Sequence, residues 1–112
     1  MLDLRLYMFQ RITALLMIPF VLIHLGVMIY AIQGGLSAAE ILGRTQGSVL
    51  WLMFYGGFVL AAGIHAAIGL RVIAHEWLGL NGKTLVALTW SIGAGLILLG
   101  ARAVWAVTWG VA

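Results

Sequence analysis

Three long apolar runs, at about residues 12–32, 49–74 and 84–109, constrain this chain more than any other feature. A helix rises about 1.5 Å per residue, so roughly 20 apolar residues cross the ~30 Å of a bilayer's hydrocarbon. Each run reaches that length. Within lipid every backbone N–H and C=O must be satisfied internally, which leaves helices and closed barrels. Barrel strands need only about 10 residues and alternate in character, so these runs argue for helices. The expected fold is all-α, with three transmembrane helices in a single integral-membrane domain, residues 1–112. Composition agrees, because 64% of the residues are hydrophobic and only 8% are charged, too few charges for a soluble domain. The first run is too long for a secretory leader and no small-residue cleavage site follows it, so it is expected to remain as a span.

Between the runs the punctuation is local. Pro19 lies inside the first span and should kink it or free a carbonyl one turn earlier. Gly34-Gly35 ends that helix. Ser37 with Glu40 three residues on has the form of a capping box, which predicts a short interfacial helix over residues 37–43. Gly79 to Gly82 reads as a tight polar loop. Arg5, Arg11, Arg71 and Lys83 then fall on one side of the membrane, against Arg44 and Arg102 on the other. That bias favours a cytoplasmic N-terminus and a C-terminus on the opposite side.

What is missing narrows the chemistry. The sequence contains no cysteine, so it supplies no disulfide, zinc-thiolate site, iron–sulfur ligation or thiol nucleophile. The net charge of +3 comes from scattered residues without a basic stripe, which speaks against nucleic acid as a partner. Asp3, Glu40 and Glu76 are the only carboxylates and all lie outside the spans. A proton-coupled transporter typically needs an acid or relay inside the membrane. No phosphate-binding glycine motif and no catalytic constellation is present, so the chain is not expected to catalyse alone.

Two histidines are set within the spans. An ionisable group at that depth is costly and is usually retained for a task, and imidazole is a common axial ligand of haem iron. The plain alternative is a hydrogen bond across a helix interface. Around His65, Ala61, Ala62 and Gly69 lie three or four positions away, leaving room for a flat ring to approach the backbone. The stripe Gly57, Ala61, His65, Gly69 equally suits ordinary small-residue helix packing. His65 lies six residues before Arg71 and His24 thirteen after Arg11. With both arginines at one interface, the two imidazoles differ in depth by roughly 10 Å. They are thus expected to serve different irons, or His65 alone is a ligand; in either case further ligands must come from another chain. His75, beside Glu76 near the interface, reads as a solvated or ion-paired side chain.

Arg11 and Arg71 could snorkel to the interface. Alternatively, each could pair with a haem propionate, or Arg11 with a quinone carbonyl. Tyr7, one turn before Arg11, can donate to the same region. The tryptophans near helix ends read as an interfacial belt.

The run His65-x-x-x-Gly69-Leu70-Arg71, with Glu76 following, resembles the cytochrome b membrane-anchor subunits of succinate dehydrogenases and fumarate reductases. Their second span carries His-x-x-x-Gly-(Ile/Leu)-Arg and an acidic residue. Their first span often opens with Ser-x-x-His-Arg-x-(Ser/Thr)-Gly. Here Arg11 and Thr13 hold their places, while Tyr7, Gln10 and Ala14 stand where the family has serine, histidine and glycine. The resemblance covers about residues 5–77, and the three-helix layout extends it over the chain.

That resemblance implies His65 as an axial ligand of haem b, and Arg11 near the quinone or the propionates. Tyr7 would stand in for the serine only through its hydroxyl. Arg71 takes the propionate role. Ile23-His24-Leu25 is similar to the late first-span histidine that binds a second haem in two-haem members. It further implies a flavoprotein subunit that oxidises succinate, an iron–sulfur subunit that relays electrons, and ubiquinone or menaquinone as acceptor. A second membrane-anchor subunit would complete the helix bundle. The expected function is a haem b anchor that docks the soluble subunits and moves electrons between succinate/fumarate and the quinone pool. The alternatives are a haem-free quinone-binding anchor and a small structural or accessory membrane protein.

Overall fold

A computed structural model describes residues 3–110 as four helices. Helix α1 spans Leu4–Gly34, α2 Ala38–Thr45, α3 Val49–Leu78 and α4 Gly82–Thr108. Three of them, α1, α3 and α4, are long and apolar enough to cross a membrane. They overrun the apolar runs chiefly on the N-terminal side of the first: α1 begins at Leu4, where the Asp3 carboxylate caps it by accepting from Leu6 N at 2.9 Å. The long dimension of the molecule, 47 Å, is that of its 31-residue first helix. Pro19 lies inside α1, and the helix runs on through it.

Helix ends follow the punctuation. Gly35, at φ +123°, stops α1 in a backbone region closed to other residues. Ser37 and Glu40 form the expected capping box, with each side chain accepting from the other's backbone N–H at 3.2 Å. Ser48 caps α3, and Gly79, in the left-handed region, closes it. Here His75 adds a clamp: its Nδ1 lies 2.8 Å from the Leu80 carbonyl, a backbone contact for a side chain expected to be solvated or ion-paired.

Helix α3 is the centre of the bundle, packed on one side by α1 and on the other by α4. Its buried residues are nearly all small: Ala61, Gly63, Ala67 and Ala74, with Ile68. Lipid tails are as apolar as leucine, so membrane helices gain by close backbone approach rather than by hiding large side chains. Ile97 of α4 fits against Gly63, Val59 of α3 against Gly100, and Phe20 of α1 against Gly57. Large apolar side chains point outward instead, as at Leu15, Leu22, Leu98 and Leu99. In water such a surface would aggregate; in a bilayer it is solvated.

Helix α2 is fastened to the far end of α4. Thr45 Oγ1 donates to the Val107 carbonyl at 2.7 Å, and Gly47 N donates to the Thr108 carbonyl at 2.6 Å. These donors satisfy carbonyls left open at a helix C-terminus. Arg44 lies over the Tyr30 ring at 5.5 Å, tying the same corner to α1.

Candidate functional site

His65 points from α3 toward α1. Its Nδ1 lies 3.3 Å from Oγ1 of Thr13. Thr13 is 4% exposed, and its hydroxyl also faces the carbonyls of Phe9 at 2.7 Å and Gln10 at 3.1 Å. Nε2 of His65 makes no hydrogen bond to any described residue. The imidazole is half-buried, with one nitrogen held and the other unpaired among the described residues.

One turn toward the N-terminal side, Gln10 lies beside Gly69, where an added Cβ would meet its Nε2 at 3.5 Å. The Oε1 atom of Gln10 is buried and has no partner, and so is Nε of Arg71. A buried polar atom without a hydrogen bond costs about 1–3 kcal/mol, so each marks a place where a polar group is expected, one beside Gly69 and the other about 9 Å along α3 from His65. Arg71 offers a donor to a carboxylate. Gln10 offers either end of its amide, since a flip exchanges oxygen and nitrogen. An open imidazole nitrogen, with unpaired polar atoms one to two turns toward the interface, is a donor set chemically compatible with a haem and its propionates.

Of the two readings of the small-residue stripe, the structure shows helix packing. Phe20 covers Gly57, Gln10 lies on Gly69, and Ala61 is 5% exposed. These small residues therefore admit α1, the packing role that the spacing also allowed.

Contacts between α1 and α3 pair Gln10 with Gly69, Thr13 with His65 and Phe20 with Gly57. In this antiparallel register Arg71 is level with Tyr7 and Met8, not with Arg11. Arg11 lies a turn deeper, about 6 Å. The same register raises the separation of the two histidines. His24 is eleven residues beyond Thr13, or roughly 16 Å along the axis, rather than the ~10 Å that level arginines gave. His24 sits in an aromatic nest, with the Phe58 and Tyr55 rings edge-on at 5.5 and 6.0 Å. Trp51, Phe54 and Phe20 extend that cluster. The spacing of 51, 54, 55 and 58 places these rings on one helix face, a signal present in the sequence but not read there.

Arg11 and Tyr7 form an exposed pair, with the guanidinium 5.9 Å from the ring centroid. On the other flank of α1 a cleft of about 590 Å³ runs between α1 and α4 across α3. Phe9, Ile64, Ile68, Trp90 and Ile97 give it apolar walls, and Arg5, Asp3, Arg71 and Thr89 add polar groups. The structure therefore groups His65 with Thr13, with Gln10 close by. It places Arg71 with Arg5, pairs Arg11 with Tyr7, and leaves His24 apart. Among the described residues, no cluster of three or more His, Asp or Glu side chains is set to hold a bare metal ion.

A model of the succinate dehydrogenase/fumarate reductase transmembrane subunit matches residues 2–108. Searches of curated proteins and of solved structures returned no match.

Proposed function

The chain belongs to the family of succinate dehydrogenase/fumarate reductase transmembrane subunits, and from that membership we propose that it is the haem b anchor of a succinate:quinone oxidoreductase. It is a multi-pass membrane protein and a membrane subunit of an oxidoreductase complex. The observation that carries the haem reading is His65, whose Nδ1 is held by Thr13 and whose Nε2 is free. Haem supplies a one-electron store whose potential follows its ligands and burial.

In this reading His65 is one axial ligand, and the second comes from a partner anchor subunit, because no other histidine of this chain stands level with it. Arg71 and Gln10, whose Nε and Oε1 are buried without partners, would supply hydrogen bonds to the propionates. Arg11 and Tyr7 present a cation and a hydroxyl at the helix start, where a quinone carbonyl accepts hydrogen bonds. Both lie on the side that carries Arg5, Arg71 and Lys83, the cytoplasmic face of the inner membrane by charge bias. Flavoprotein and iron–sulfur subunits dock on that face and deliver electrons to the quinone. His24 packs among aromatic rings and would act as a ligand only if the complex carries a second haem.

A haem-free anchor is the reading favoured by the closure of Gly57 and Gly69 under α1. Haem content decides between them. The complex, purified in mild detergent with its partners, is expected to yield one haem b per chain by pyridine haemochrome, and His65→Ala to lose it. Unchanged haem in His65→Ala removes His65 as a ligand; two haems per chain bring in His24.

A further inference from the structure

A threonine hydroxyl has one hydrogen and two lone pairs. At Thr13 the hydrogen is already engaged, since Oγ1 lies 2.7 Å from the Phe9 carbonyl and 3.1 Å from that of Gln10. This is the back-bonding of a helical threonine to the preceding turn. Carbonyls only accept, so Oγ1 is the donor to both. His65 Nδ1 lies 3.3 Å from the same oxygen. Two lone pairs facing each other at that distance repel, so Nδ1 must carry a hydrogen and donate it. In a neutral imidazole the lone pair is then on Nε2.

We propose that Thr13 is a positioning residue whose hydroxyl oxygen holds Nδ1–H of His65 and so presents Nε2 as the iron-binding nitrogen. This rests on the haem reading above. Ligand histidines pass their other N–H to an acceptor, which fixes the ring and raises its basicity toward the metal. Thr13 meets both requirements from a neighbouring helix, and because it is buried, water cannot readily take its place. The opposite tautomer would need the Thr13 hydrogen to leave the Phe9 carbonyl, its shortest contact.

The test uses the assembled complex carrying Thr13→Val, which keeps the shape and removes the acceptor, and Thr13→Ser, which keeps the hydroxyl. The readouts are haem per chain, haem midpoint potential and the low-spin ferric EPR signal. Without its acceptor His65 becomes a weaker donor to ferric iron. Thr13→Val should therefore raise the potential and move the EPR signal, and Thr13→Ser should restore both. If Thr13→Val instead loses haem, recovery in Thr13→Ser supports the assignment, while loss in both marks a packing role and overturns it. Normal potential and EPR in Thr13→Val overturn the Thr13 assignment and leave His65 standing. A wild-type complex without haem overturns the haem reading itself, and this inference with it.

Discussion

Arg11 is exposed beside the Tyr7 ring and pairs with no carboxylate among the described residues, so its guanidinium is free to meet an incoming acceptor. A hydrogen bond from a charged donor contributes about 1.5–3 kcal/mol. Arg11→Ala is therefore expected to lower kcat/KM for a short-chain quinone by about tenfold or more, with haem content unchanged. Steady-state quinone reduction measures this, and wild-type kinetics would remove Arg11 from the quinone site. His65 was legible because its motif is local: histidine, glycine and arginine lie within two turns of one helix. Thr13 was visible only as a matching motif position. Its contact with His65 joins residues 52 apart in sequence, and only the register of α1 on α3 creates it.

Helices α3 and α4 depend on close approach, and glycines at two levels permit it. A Cβ at Gly100 would lie 2.5 Å from Val59 Cγ1, and one at Gly63 would lie 2.7 Å from Ile97 Cγ1. Valine is β-branched and stiff at χ1, so it cannot swing clear. Gly100→Ala is predicted to destabilise the bundle by about 1–3 kcal/mol through overpacking. Gly95 has open space around it, so Gly95→Ala should be neutral or slightly stabilising. Thermal unfolding of the two variants in the same detergent compares them, and equal midpoints would refute the close-packing account. Helix α2 offers a second check, since Ser37→Ala removes half of its capping box. That change should cost about 1 kcal/mol and speed amide exchange in α2 alone. The helix was legible from Ser37 and Glu40; its fastening to Val107 and Thr108 was not, because those acceptors belong to the end of another helix.

In the molecule as a whole, large apolar side chains face outward along α1 and α4, as a bilayer or a partner helix requires. The arginine bias predicts the α3–α4 loop on the cytoplasmic side and α2 on the opposite side. A chain without cysteine tests this cleanly. Asn81→Cys should react with a membrane-impermeant maleimide in inverted vesicles, and Ala39→Cys in spheroplasts. The reverse pattern would invert the topology and move the Arg11–Tyr7 pair away from the cytoplasmic face.

The all-helical class, the three spans, the α2 cap and the His65 motif follow from sequence, because each is set by periodicity, length or chemistry within a few turns. Helix pairing and register do not, since a stripe of small residues says that something packs closely without saying what. The tertiary structure decided that α1 covers Gly57 and Gly69, that Arg71 stands level with Tyr7, and that His24 lies in an aromatic nest far from His65. It also placed a threonine oxygen against Nδ1 of His65. Each of these depends on how far one helix slides along another. That position is set by the sum of many small packing contacts, which no single segment encodes.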